Sequence, residues 1–140
     1  MPLYRTASEA ETIALGEQLA GRFPPGSVVL LIGNLGAGKT TLAKGIINGL
    51  GAGVPDEVSS PTFTLIHEYG GGRAYHIDLY RLEEAREAAT LGLEELFDSG
   101  AIVLIEWGER FPELLPARRI EIRLRAAGGD EREIEVNQLS

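Results

Sequence analysis

The sequence predicts one α/β domain over residues 1–140, three layers thick, with a mixed, largely parallel central sheet, an inserted β-hairpin and a C-terminal β-hairpin. Three observations lead there. Two unbroken apolar runs, Ser27 to Ile32 (SVVLLI) and Ala101 to Ile105 (AIVLI), have the composition of strands buried on both faces, as central strands of parallel sheets are. The first run passes through a glycine-rich loop into a segment of helical period. Two other stretches alternate with period two around glycine turns, the pattern of hairpins. With 140 residues, of which 44% are hydrophobic, the chain has material for one core and no second domain.

The elements follow in order. Ser8 and Glu11 have capping-box spacing, and Leu15, Leu19 and Phe23 carry a helix to about Arg22, stopped by Pro24-Pro25-Gly26. After the strand at 27–32 and the loop Gly33 to Gly38, Leu42, Ala43, Ile46, Ile47 and Leu50 mark one helix face, with Gly51 placed as C-cap. Val58 to Tyr69 and Arg73 to Tyr80 read as strands joined at Gly70-Gly71-Gly72. In the second, His76, Asp78 and Tyr80 share one face and Tyr75, Ile77 and Leu79 the other. Glu83 to Asp98 reads as a helix kinked near Gly92, and the strand at 101–105 ends abruptly in Glu106. The tail alternates at Ile120, Ile122 and Leu124, turns at Gly128-Gly129 and resumes at Ile134 and Val136, which leaves a charged outer face.

Composition excludes several classes of function. The chain has 13 Lys+Arg against 21 Asp+Glu, a net charge of −8, the wrong sign for an autonomous nucleic-acid or anionic-membrane binder. Without cysteine there is no disulfide, thiolate nucleophile or cysteine metal site, which suits a reducing cytoplasm. The N-terminal segment MPLYRTASEAE has no apolar signal-peptide core, and no apolar stretch approaches bilayer-spanning length, so a cytoplasmic location is expected. Arg118, Arg119, Arg123, Arg125 and Arg132 make the tail locally basic, which suits a partner-docking surface or a phosphate contact, but their alternation with Glu favours a solvated hairpin face.

The chemistry starts at Gly33-Asn34-Leu35-Gly36-Ala37-Gly38-Lys39-Thr40, which fits G-x-x-x-x-G-K-[ST] without mismatch between a buried strand and a helix. Glycines let the backbone curl so that its N–H groups converge on phosphate oxygens, and the helix adds its positive end. Lys39 is then the partner of the β- and γ-phosphates and the Thr40 hydroxyl the ligand of Mg²⁺. The fold expected is therefore of the P-loop NTPase type. Such sites place an acidic residue at the end of a neighbouring buried strand to hold Mg²⁺, and Glu106 occupies that place. Asp78 is a candidate for the same site, as ligand of a Mg²⁺-bound water or as a base that positions water. Thr62, after Pro61, is a candidate switch residue sensing the γ-phosphate.

Three functions compete: a regulatory ATPase that drives a partner's cycle, a small-molecule kinase, and a nucleotide-binding module without turnover. A kinase needs an acceptor pocket under a mobile lid, and the short segment after Glu106 offers none. No Asn-Lys-x-Asp or Thr-Lys-x-Asp element reads guanine, which favours ATP. No arginine finger or water-orienting glutamine stands out, so hydrolysis in isolation is expected to be slow and a partner to complete the site.

The motifs GNLGAGKTTLAKG (Gly33 to Gly45), SPTFTLIHEY (Ser60 to Tyr69), HIDLYRL (His76 to Leu82), LGLEELF (Leu91 to Phe97) and LIEW (Leu104 to Trp107) stand in an order and spacing that resemble the TsaE family, also called YjeE. The resemblance covers nearly the whole chain. It implies a bacterial P-loop ATPase of tRNA threonylcarbamoyladenosine biosynthesis, which binds ATP and Mg²⁺ and associates with the proteins TsaD and TsaB. TsaD transfers the threonylcarbamoyl group to an adenosine beside the anticodon; hydrolysis by the ATPase resets the TsaB–TsaD complex, and tRNA is met only through that complex. Carried over by position, Asn34 to Thr40 with Thr41 bind the nucleotide, Thr40 and Glu106 hold Mg²⁺, and Thr62 and Asp78 lie near the γ-phosphate. Lys39, Asp78, Glu106 and Thr62 are the implied catalytic set, and an N-terminal nucleotide contact falls near Glu9. Asn34 stands where the family commonly has Asp. The terminal hairpin matches in outline only, so no nucleotide role is carried to Arg132.

Overall fold

The computed structural model describes residues 2–34, 36–61 and 65–139. Its core is a seven-stranded sheet formed by β1 (Leu3–Thr6), β2 (Val28–Ile32), β3 (Ile66–Tyr69), β4 (Ala74–Asp78), β5 (Ile102–Glu106), β6 (Arg119–Gly128) and β7 (Glu131–Leu139), in the order β1-β7-β6-β2-β5-β4-β3. The centre of the sheet is parallel: β2 pairs in parallel with both β5 and β6, and β4 with β5. Antiparallel pairs flank it, β3 on β4 at one side and β7 on β6 and β1 at the other. The mixed sheet and both hairpins agree with expectation.

Three layers arise because β2 and β5 are apolar at every position before their last. Val29, Leu31 and Leu104 face α1 (Glu9–Ala20) and α2 (Lys39–Gly49), meeting Leu15, Leu19, Leu42 and Ile46. Val28, Leu30, Val103 and Ile105 face the other way, against Leu82, Ala88, Leu93 and Phe111. At about 25 cal/mol per Å² of apolar surface removed from water, this two-sided burial is the main force holding β2 and β5 at the centre. No helix among the described residues is long and apolar enough to cross a membrane.

Local signals explain the helix ends. The Ser8 side chain accepts from Glu11 N–H at 3.1 Å, while the Glu11 carboxylate reaches back one residue further than a capping box does, to Ala7 N–H at 2.8 Å. Helix α1 stops at Ala20, slightly before the expected Arg22. After α2, Gly51 takes φ 69°, and Ala52 N–H closes back on the Ile47 carbonyl at 3.0 Å.

Three expectations need correction. The strands expected over 58–69 and 73–80 are shorter, Ile66–Tyr69 and Ala74–Asp78, so Tyr80 lies beyond the strand that holds His76 and Asp78. The helix expected over Glu83 to Asp98 is instead a 3-10 segment, Ala85–Leu91, and then a short α3 (Leu93–Phe97), separated at Gly92 with φ 69°. Its apolar residues Leu82, Ala85, Ala88 and Leu91 recur every third position, the spacing that lines up on a 3-10 helix. Strand β1, which runs along the sheet edge on β7, was not expected from the sequence pattern.

Candidate functional site

The parallel arrangement brings the carboxyl ends of β2, β4 and β5 together, where the crevice of an open α/β sheet lies. Chain direction changes there from β2 into the loop at 33–38 and then α2, whose N-cap is Gly38 at φ 101°, a conformation that disfavours any side chain. Register does the rest. Asp78 pairs with Glu106, and Glu106 with Leu31, so two carboxylates at adjacent strand ends stand beside the start of the loop.

These elements enclose a cleft of about 560 Å³, within the range of small-molecule sites. Glu9, Gly36, Gly38, Lys39, Thr40 and Thr41 line it from one side, and Ser60, Asp78, Tyr80, Glu106 and Trp107 from the other. Most of the expected site residues therefore converge. Asn34 does not share this cleft; it lines a separate depression with Arg123 and Glu133. Ala37 is buried in the loop and contributes its backbone carbonyl to the contact described below. Leu35 and Thr62 lie outside the described residues.

Lys39 is almost fully buried, and its Nζ donates to the Gly33 carbonyl at 2.6 Å while standing 3.5 Å from the centroid of the Trp107 ring. Burial pushes this ammonium below the ordinary lysine value of 10.5, with Glu106, Glu109 and Asp78 pulling the other way. Trp107, the only tryptophan, also packs on Tyr80 with ring centroids 5.0 Å apart. It holds a left-handed backbone at φ 65°, a conformation that costs a non-glycine residue about 1 kcal/mol or more.

Glu106 and Asp78 are both buried and both held. The Thr40 hydroxyl donates to Glu106 Oε2 at 3.2 Å, and His76 Nε2 stands 2.6 Å from the same oxygen. Asp78 accepts from the Ser60 hydroxyl at 3.0 Å on one oxygen and from Tyr80 N–H at 2.8 Å on the other. A carboxylate fixed at both oxygens is an oriented acceptor. The arrangement fits a nucleotide with Mg²⁺, because that ion keeps several waters and takes few protein oxygens, here a hydroxyl and a carboxylate already side by side. No cluster of three or more His, Cys, Asp or Glu suited to an all-protein metal cage is found among the described residues.

Sequence reasoning missed two members. Arg132, on β7, donates to the carbonyls of Gly36 and Ala37 at 3.1 Å each and lines the cleft beside Asp130. Of the other tail arginines, the exposed Arg123 and Arg125 pair with Glu121 and Glu133, while the partly buried Arg119 also pairs with Glu121. His76 is the second; its place on the face of Asp78 was legible, but its contact with Glu106 depends on strand register.

Known proteins resemble the chain over most of its length. Residues 6–134 match the model of the family described as "Threonylcarbamoyl adenosine biosynthesis protein TsaE". A protein of Bacillus subtilis (strain 168) named "tRNA threonylcarbamoyladenosine biosynthesis protein TsaE" is 45% identical over 133 residues, which span 94% of this chain and 82% of the relative. A protein of the same name from Treponema pallidum (strain Nichols) is 39% identical over 130 residues, 92% of this chain and 95% of the relative. The crystal structure of YdiB from Bacillus subtilis superposes with a TM-score of 0.80 at 38% identity, covering 99% of this chain and 86% of that one. With a continuous match of this extent and a shared fold, the chain belongs to the TsaE family.

Proposed function

We propose that this protein is an ATPase that serves tRNA threonylcarbamoyladenosine biosynthesis, binding ATP with Mg²⁺ and regulating a TsaB–TsaD complex by hydrolysis. One observation carries the nucleotide reading: the phosphate-loop lysine, the Thr40 hydroxyl and the paired carboxylates of Asp78 and Glu106 meet in a single cleft. Family membership supports the role in tRNA threonylcarbamoyladenosine biosynthesis. The net charge of −8 favours acting on tRNA through partner proteins over gripping it directly.

Each residue has a definable task. Lys39 leaves the Gly33 carbonyl and the Trp107 face to meet phosphate charge, exchanging weak neutral partners for a strong anionic one. Thr40 and Glu106 hold Mg²⁺, which supplies charge neutralisation on the phosphates when bound. Asp78, oriented by Ser60 and Tyr80, aligns a water molecule. Arg132 ties the loop to the terminal hairpin, and Glu9 and Thr41 border the same cleft. Nothing in this set approaches from the far side of a transferred phosphoryl group, which is why a partner is needed for speed.

The test is phosphate release from ATP–Mg²⁺ by the purified protein, alone and with TsaB and TsaD. Slow release alone and a marked rise with the partners is the expected result; equal turnover in both overturns the regulatory reading. Phosphoryl transfer to a small acceptor in place of water overturns the ATPase reading.

The position of Lys39 adds a pH prediction. Its ammonium is depressed by burial in the free protein, and bound phosphate raises it, so binding takes up a proton. Affinity is therefore full below the free-state pKa of Lys39 and declines as pH rises through it, a window that opens below 10.5. Measured from about pH 7 to about pH 10, ADP affinity falls in the parent protein. It stays flatter in Lys39→Arg, whose guanidinium does not titrate in that range. A parent profile as flat as that of the variant counts against direct engagement of Lys39.

A further inference from the structure

Among the side chains around the cleft, His76 has the least ordinary surroundings. It is fully buried on β4, its Nε2 lies 2.6 Å from Glu106 Oε2, and its Nδ1 has no hydrogen-bond partner among the described residues. A carboxylate oxygen only accepts, so Nε2 carries the hydrogen of this contact, and Nδ1 is left without a partner. A histidine serving only to fill the core gains nothing from such a place. Ala74 and Leu104 beside it are apolar, Asp78 follows it along β4 and His67 pairs with it on β3, and an apolar side chain at this position has no polar atom to leave unsatisfied.

We propose that His76 is a positioning residue for Glu106, holding its carboxylate toward Thr40 from beneath the cleft. The proposal rests on the reading of Glu106 as a Mg²⁺ ligand and extends it to a residue that does not line the cleft. The geometry is that of a ligand steered from behind: Oε2 receives His76 from the protein side and the Thr40 hydroxyl from the loop side. Without the imidazole, Glu106 keeps a single side-chain tether among the described residues, the Thr40 hydroxyl, and its rotamer is less firmly set before the metal arrives. Groups placed behind metal ligands in this way are worth about 10- to 100-fold in metal affinity.

The test separates positioning from packing by comparing His76→Leu, which keeps bulk without a donor, with His76→Gln, whose amide nitrogen restores one. ADP binding is titrated calorimetrically in EDTA and across a Mg²⁺ series, and folding is followed by thermal melting. In His76→Leu the apparent Mg²⁺ affinity of the ADP complex is expected to fall about 10-fold while ADP affinity in EDTA is unchanged, and His76→Gln is expected to recover most of the loss. In a Glu106→Gln background the His76→Leu change is expected to add no further loss.

An unaltered Mg²⁺ affinity in His76→Leu overturns the proposal. Equal defects in both variants with ADP affinity in EDTA also reduced overturn it too, in favour of packing. If the parent protein itself shows no Mg²⁺ dependence, the metal reading of Glu106 has failed, and that outcome is visible before any variant is made.

Discussion

Glu106→Gln is expected to lower ATP turnover by at least about 100-fold, roughly 2.7 kcal/mol of transition-state stabilisation, while the protein remains folded. The amide has the volume of the carboxylate and can still accept from His76, so packing at the end of β5 is conserved. What disappears is the negative charge beside the Thr40 hydroxyl, on which the proposed Mg²⁺ site depends. Removing the buried charge of Glu106 relieves a desolvation cost but also forfeits its attraction for the Lys39 ammonium, so the melting temperature is expected to change little. Phosphate release and thermal melting on the same preparation check both halves. Full turnover in the variant removes Glu106 from the reaction; a collapse in stability assigns it to the scaffold instead.

Gly45→Ala is expected to destabilise the fold by about 3 kcal/mol, lowering the melting temperature by about 10 °C. Helix propensity alone predicts the opposite sign, since alanine is favoured over glycine in a helix interior by about 1 kcal/mol. Sterics win because α1 and α2 touch backbone to backbone. A Cβ on Gly45 overlaps the Ile13 carbonyl oxygen, one on Gly16 comes 2.6 Å from the Leu42 carbonyl oxygen, and one on Gly49 comes 2.8 Å from Glu17 Cα. The helix that begins with Lys39 is thus located by contact along its whole length, with Asn48 bonded to Glu17 at its far end. Gly21→Ala is the control: its nearest neighbour stands 3.6 Å away and its φ is −67°, so little change in melting is expected. If both variants melt alike, close helix contact is not what the glycines serve.

What could be read in advance follows the range of the interactions involved. The loop at 33–40 was legible because its strand, turn and helix are consecutive and its chemistry needs particular residues at fixed spacing. Glu106 was legible because a buried strand that ends in a charge is rare. Arg132 was not, since it reaches Gly36 across 96 residues and its alternation with glutamate is the same as that of the arginines that only face solvent. The contact of His76 with Glu106 depends on β4 lying in a particular register beside β5, which a period-two pattern does not specify. The 3-10 segment was mistaken for an α-helix because its apolar spacing of three falls within the tolerance of a 3.6-residue repeat.

The position of β7 bears on when this protein becomes competent during its synthesis. Among the described residues, strand β1 has β7 as its only partner in the sheet, and the arginine that clasps the loop at 33–38 is on that same late strand. A ribosome-bound chain that has already made β2, the loop and α2 therefore still has an unpaired amino-terminal strand and a loop without its clasp. Both are completed together by β7, so a chain that has not yet made this strand leaves β1 without its sheet partner and the loop at 33–38 without its clasp. One late strand thus closes the sheet edge and fastens the loop in the same step.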